Sequence, residues 1–440
     1  FLPSVGGSKT KNALASIMAV ARYTYNDKYT LTGSYRYDGS TRVAPDNKWH
    51  GFYSVGANWN VKKEDFLKDN TVINDLRLRA SYGITASPFG SDFGYLAAYA
   101  ANTAYGNVAG IRPTSPGNPG YDWEYVKESN AGFDLNMLKN RLRISADVYY
   151  KKTSNMFIDQ PLSATSGFST LSLSAGIMSN KGVEFDVSGD VLKTNDFIWT
   201  LGVNAGYNRN RILHLTDQLD TYADGDTRVL KVGYPIGTYI APDWAGVNPQ
   251  TGEAQYYNLD GSITTTYNVN TQGALNSGSL YPTFTGGIST SLSYKGITAS
   301  ALLSFVSNVM RWNNEDFYTE TQRYATDNQS VRMLENRWKN PGDSGDKAIL
   351  QRFDIPRVFT SKDIQDASFL RLRNLNVGYA IPKHILEKTK FIKGVKIFVQ
   401  GQNLFTWTNW KGLDPENNAA LNIFQYPNTR TYTAGLNVNF

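Results

Sequence analysis

Cysteine is absent from the 440 residues and histidine occurs three times. Without thiols there is neither a disulfide framework nor a thiolate metal site, and the redox compartment is left open. His50, His214 and His384 stand far apart, none inside a serine- or carboxylate-bearing motif. No zinc centre or acid–base triad is indicated, so we assign no catalytic, cofactor-binding or metal-ligating residue. Long apolar runs are missing too: no stretch approaches the ~20 residues of a membrane-spanning helix, and mean hydropathy is −0.41. That excludes a helical membrane protein but not a barrel, whose strands average to a polar composition. Dense charge is lacking as well. The net +6 is spread along the chain with no basic block, which argues against a nucleic-acid partner. The start, Phe1-Leu-Pro-Ser4, has no signal-peptide pattern. A secreted barrel needs one, so a processed or truncated product is expected.

What is present is aromatic and small: 28 Tyr, 21 Phe, 9 Trp and 38 Gly, a load suited to rim girdles and close strand packing. The last residues organise the rest. Tyr432, Ala434, Leu436, Val438 and Phe440 alternate with Thr431, Thr433, Gly435, Asn437 and Asn439. A period of two makes a strand with one apolar and one polar face. The polar face carries hydroxyls and amides, which suits a wet lumen, and the aromatic terminus suits a rim.

About thirteen segments repeat this pattern: 17–25, 29–38, 52–60, 76–82, 131–137, 141–150, 183–191, 197–207, 284–294, 297–305, 369–379, 395–405 and the terminus. Turns are read at Asn26-Asp27-Lys28, Lys139-Asn140, Lys193–Asp196 and Lys295-Gly296. Between Leu372 and Leu375 the phase slips by one, the mark of a bulge. Asn258–Ser262 reads as a hairpin turn in preference to a calcium loop.

Connections after odd-numbered strands are short. Those after even-numbered strands are mostly long: 83–130, 153–181, 208–282 and 306–368. Segregation of loop length by parity separates periplasmic turns from outside loops in a transmembrane barrel. The expected fold is therefore all-β, an antiparallel transmembrane β-barrel with long extracellular loops, filling residues 1–440. An odd strand count leaves two edges that hydrocarbon does not tolerate. Strand one is thus expected to pair with polypeptide outside these residues.

Several stretches resemble the SusC-like TonB-dependent transporters of Bacteroidetes. They are YDGSTRVAPDNKW (37–49), NDLRLRASYG (74–83), 141–153, NKGVEF (180–185), FLRLRNLNVGYAIP (369–382), GQNLFT (401–406) and GLDPE (412–416), closed by the aromatic Phe440. Val43 replaces the usual Phe, and Ile84-Thr-Ala-Ser87 a more Gly/Asn-rich loop start. The resemblance implies a barrel of about 22 strands, of which these thirteen are the C-terminal part, plugged by an N-terminal domain. It also implies a SusD-like surface lipoprotein as lid, drive by TonB–ExbB–ExbD, placement in outer-membrane lipid, and a cargo of oligosaccharide or peptide. Phe440 would be the C-terminal assembly signal. The remaining strands would come from another chain or from a segment outside these 440 residues. The alternative function is a passive porin-type channel; a secreted β-sandwich adhesin is a third reading.

Two sets of candidate contacts follow. Tyr95, Tyr99, Tyr121, Trp123, Trp244, Trp312 and Trp338 fall in the long outer loops. Their flat rings either meet substrate or the lipoprotein lid, or pack the loops into a rigid collar. Arg77, Arg79, Arg141, Arg143, Asp147, Glu184 and Asp186, with Arg371 and Arg373, lie on polar strand faces. Wall ion pairs and plug contacts are favoured there over substrate binding.

Overall fold

The computed structural model describes residues 9–88, 90, 92–106, 108–216, 221–224, 227–269, 272–274, 278–321, 328–349, 358–387, 391–417 and 419–440. Thirteen long strands form one sheet: β1 (Leu14–Tyr25), β2 (Tyr29–Ser40), β3 (Trp49–Asn60), β4 (Ile73–Ser87), β5 (Glu124–Met137), β6 (Leu142–Pro161), β7 (Thr170–Lys193), β8 (Phe197–His214), β9 (Phe284–Tyr294), β10 (Ile297–Ser307), β11 (Phe369–Ala380), β12 (Gly394–Thr408) and β13 (Thr431–Asn439). Hydrogen-bonded order is chain order. All thirteen segments read from alternation are strands of this sheet. β1 is paired on one side by β2, and β13 on one side by β12.

Internal contacts divide the chain into two units: Phe1–Glu184, Arg209–Tyr222 and Lys231–Tyr234, and Phe185–Asn208, Ala223–Leu230 and Pro235–Phe440. In the first, Leu31, Tyr35, Tyr53, Val55, Leu78 and Val148 are exposed; in the second, Val377, Tyr379, Ile397, Val399 and Leu436 are exposed. These are the apolar members of the alternation. They do not form a soluble core, and a contiguous greasy face of this kind requires a covering medium. Most of the buried apolar residues sit among the outer connections and the strand ends that meet them. Val43, Phe52 and Trp123 cluster in the first unit. Tyr239, Ala241, Leu280, Trp312 and Ile364, and separately Val309, Ala367 and Trp410, cluster in the second.

Short turns close the other strand ends. Asn26 and Asp27 adopt positive φ of 49° and 54°, and Lys28 N–H donates to Tyr25 O at 3.0 Å. Lys295 and Gly296 make a two-residue turn with φ of 45° and 88°. The expected Lys139-Asn140 corner is wider: Leu138, Lys139 and Asn140 are all left-handed, and Met137 pairs with Leu142. Arg141 therefore belongs to the turn, not to the face of β6. The phase slip in β11 is present, as a register shift between Leu372 and Asn374 in its ladder with β12.

Strand length is where the sequence reading falls short. β6 runs 20 residues and β7 runs 24, against the roughly 10 needed to cross hydrocarbon. Their outer halves extend beyond that height and still carry alternation: Met156 and Ile158 of β6 are buried, and Leu171 and Leu173 of β7 alternate with Ser172 and Ser174, a pattern that lies inside the stretch read as a long connection. Residues 83–121 also hold a hairpin, Ala98–Tyr105 with Val108–Ser115. At Asn258–Ser262 the hairpin reading holds: Tyr257 pairs with Ile263, and Asn258 N–H donates to Ser262 O at 2.8 Å.

Candidate lumen wall and outer-loop contacts

Strands β2–β4 show the wall's two faces back to back. On one side Thr30, Thr32, Asn58 and Arg77 of these strands, with Arg22 and Thr24 of β1, line a polar hollow of about 710 Å³. On the other, alternate residues of the same strands line an apolar one. The polar face is crossed by ion pairs. Arg79 Nε lies 2.9 Å from Asp134, and its Nη2 lies 3.0 Å from Asp147 Oδ2. Ser145 donates to Asp134 at 2.9 Å, so four side chains on β4, β5 and β6 are tied across the ladders. The approach depends on Gly132: a Cβ there would lie 2.6 Å from Ala146 O and strike Asp147 Oδ1. Arg77 pairs with Asp75 at 3.0 Å. Arg143 is exposed opposite Asn136. Glu184 and Asp186 are exposed on β7. Arg79 and Asp147, two of the polar-face candidates, are thus brought together on the wall. Asp134 and Ser145 join them unforeseen, although the alternation of Asp134 and Asn136 with Phe133 and Leu135 could have flagged the first.

In the second unit Arg371 and Arg373 take different partners from any read in the sequence. Arg371 is 2% exposed. Its Nη1 donates to Glu416 Oε2 at 2.9 Å, its Nη2 to Asp414, and its Nε to Thr406 Oγ1 at 3.0 Å. Arg373 forks onto both oxygens of Glu416 and donates to Ser304 at 2.7 Å. The GLDPE segment of the outer connection is thus clamped to two arginines of β11, Arg371 before its bulge and Arg373 at the residue the ladders skip. Burial pushes the Asp414 carboxyl up, but Arg371 and the N–H groups of Glu416 and Asn428 outweigh it and hold the group below the usual range. Both halves of this clamp stood out as motifs; that they meet is set by the connection's path.

The same connection reaches a buried polar cluster. In α1 (Asn314–Thr319), Glu315 accepts from Leu413 N–H at 3.1 Å and Asn422 Nδ2 at 3.0 Å. Asp316 accepts from Arg332 at 2.7 Å and from Gln365 at 3.0 Å. Burial is the main influence on Glu315 and pushes its carboxyl up.

Four of the seven outer aromatics are buried: Tyr121, Trp123, Trp312 and Trp338. Trp123 donates to Asn47 O at 2.9 Å and packs edge-on against Phe52. It thereby fixes the 37–49 motif segment. Trp338 donates to Pro249 O at 2.9 Å. Trp312 packs on Tyr239 and Phe359. Their faces are occupied by the loops, which favours the collar role for these four. Trp244 is half-buried, with Lys362 Nζ 4.0 Å above its ring. Tyr95 is half-buried and Tyr99 is exposed on the 98–115 hairpin.

Two-faced strands, short turns at one end and packed loops at the other define an outer-membrane barrel wall. Residues 2–404 match the family described as TonB dependent receptor-like, beta-barrel, and the chain belongs to that family. It is 30% identical over 472 residues to TonB-dependent receptor P3 of Formosa agariphila, covering 97% of this chain and 45% of that protein. To TonB-dependent receptor SusC of Bacteroides thetaiotaomicron it is 29% identical over 461 residues, 98% of this chain and 44% of that one. The solved RagAB peptide transporter superposes with a TM-score of 0.87 at 28% identity, covering 98% of this chain and 48% of that one. The chain thus spans about half the length of the curated relatives it matches.

Proposed function

We propose that the full protein imports a nutrient, oligosaccharide or peptide, across the outer membrane in a TonB-dependent manner, with a SusD-like lipoprotein as its lid. Residues 1–440 supply the C-terminal part of its barrel, and the single-sided edges of β1 and β13 pair with the rest. One observation carries the reading: nearly the whole chain aligns in sequence with TonB-dependent receptors and superposes on the RagAB peptide transporter. In the proposed mechanism ligand settles among lid, outer loops and plug. TonB, energised through ExbB–ExbD, then remodels the plug and opens a path along the polar face. Arg143, Glu184 and Asp186 hold the plug at rest through individually weak pairs, while Arg77, Arg79 and Asp147 stiffen the wall behind it. Tyr95, Tyr99 and Trp244 meet ligand or lid. Phe440 marks the last strand for assembly.

The test is uptake of labelled oligosaccharides and labelled peptides by cells carrying the full gene. Uptake of one class that stops on dissipating the proton gradient supports import. Uptake that survives identifies a passive channel instead.

A further inference from the structure

On the outward face of β2–β4 a trough of about 400 Å³ is lined by Tyr29, Leu31, Ala57, Trp59, Leu78 and Ala80. Its shape follows from register. Leu31, Ala57 and Ala80 stand level on adjacent strands, and Tyr29, Trp59 and Leu78 stand level two residues nearer the turns. Two methyl-sized side chains thus lie beside a row that includes the stacked rings of Tyr29 and Trp59, whose centroids are 6.3 Å apart at 18°. The polar atoms of both rings are spent: Tyr29 Oη and Trp59 Nε1 each donate to Glu64 below the strand ends. What remains is hydrocarbon, on a wall that faces hydrocarbon.

The turns beneath the trough carry balanced charge. Lys28 pairs with Glu64 at 3.0 Å, Lys63 with Asp27 at 3.3 Å and Lys68 with Asp65 at 3.0 Å. Lys62 is committed to the carbonyls of Leu67, Lys68 and Asn70. Lys63 and Asp27 also line the polar hollow of the opposite face, whereas the Lys68–Asp65 pair is exposed and exchanges partners at little cost. Such a set complements a headgroup holding both a phosphate and an ammonium better than one of net negative charge.

We propose that this trough seats one acyl chain of a zwitterionic phospholipid from the periplasm-facing leaflet, with its headgroup against the 61–69 turn. The seat rests on membrane placement of the wall and not on the import reading, and its test measures no transport. The full-length protein is extracted with native lipid and passed into mild detergent, and the phospholipid still bound is counted by native mass spectrometry. Ala57→Phe with Ala80→Phe fills the trough while keeping the face apolar. Displacing the equivalent of two buried methylenes lowers retention about tenfold. Ala299→Phe, on the outward face of β10, leaves it unchanged. Wild-type retention in the double variant overturns the proposal. So does equal loss in the Ala299 control, or retained lipid that is mainly net-anionic.

Discussion

Arg371 is the most committed side chain of the wall: a guanidinium 2% exposed, held by two carboxylates and a hydroxyl. Removing one partner of a buried pair strands the others, at about 3–5 kcal/mol when burial is complete. Glu416 is 29% exposed, which allows water to relieve part of that. Arg371→Ala is therefore expected to cost about 2–3 kcal/mol. It should also open residues 410–430 to protease, read by thermal unfolding and limited proteolysis of the full protein. Arg371→Lys recovers only part, because an ammonium cannot fork onto two carboxylates. Gly132 has the opposite character, since its worth lies in what it leaves empty. Gly132→Ala drives a methyl into Ala146 O and Asp147, an overpacking of about 1–3 kcal/mol. The expected readout is a lower temperature for loss of the heat-resistant folded band on gels.

At the scale of elements, the turns act as clasps on strand ends. Glu64 accepts from Tyr29 Oη, Lys28 Nζ and Trp59 Nε1, which together hold its carboxyl down at about 2. The folded value lies below the unfolded carboxylate value of about 4.3. The clasp therefore contributes above that pH and is lost as pH falls toward 2. Protection of amides 61–72 against hydrogen exchange, taken relative to the intrinsic rate at each pH, is expected to be high at neutral pH and to fall as the pH drops through that window. Glu64→Gln should show low protection throughout; protection equal to wild type in that variant would mean that the carboxylate does not hold the turn. Register is likewise an element property. The slip between Leu372 and Leu375 was legible because Leu372, Leu375, Val377 and Tyr379 keep one face only if one residue is skipped. The outer halves of β6 and β7 carried a fainter trace, Leu171 and Leu173 alternating with Ser172 and Ser174, inside a stretch read as an outer connection.

At the scale of the whole molecule, the inside–outside partition makes an asymmetric prediction for adjacent residues of β11. Val377 is exposed on the apolar face and Asn376 lies on the polar one. Val377→Arg is expected to destabilise the full barrel in bilayers by about 2–4 kcal/mol, and Asn376→Arg by much less. Denaturant titration in vesicles checks both. Equal costs would mean that the wall does not separate hydrocarbon from water.

The sequence by itself determined the thirteen strands, their faces, the parity of their connections and the bulge in β11, because each is written in a period-two pattern or a turn residue. It also carried the motifs that resemble TonB-dependent receptors. Only the tertiary structure decided that GLDPE closes on Arg371 and Arg373, that Asp134 joins Arg79 and Asp147, and that Tyr121, Trp123, Trp312 and Trp338 are buried in the loops. Those contacts join residues far apart in the chain, through connections whose paths follow no periodic rule. Burial there depends on which distant segments arrive beside a ring, a matter of packing that local alternation does not encode.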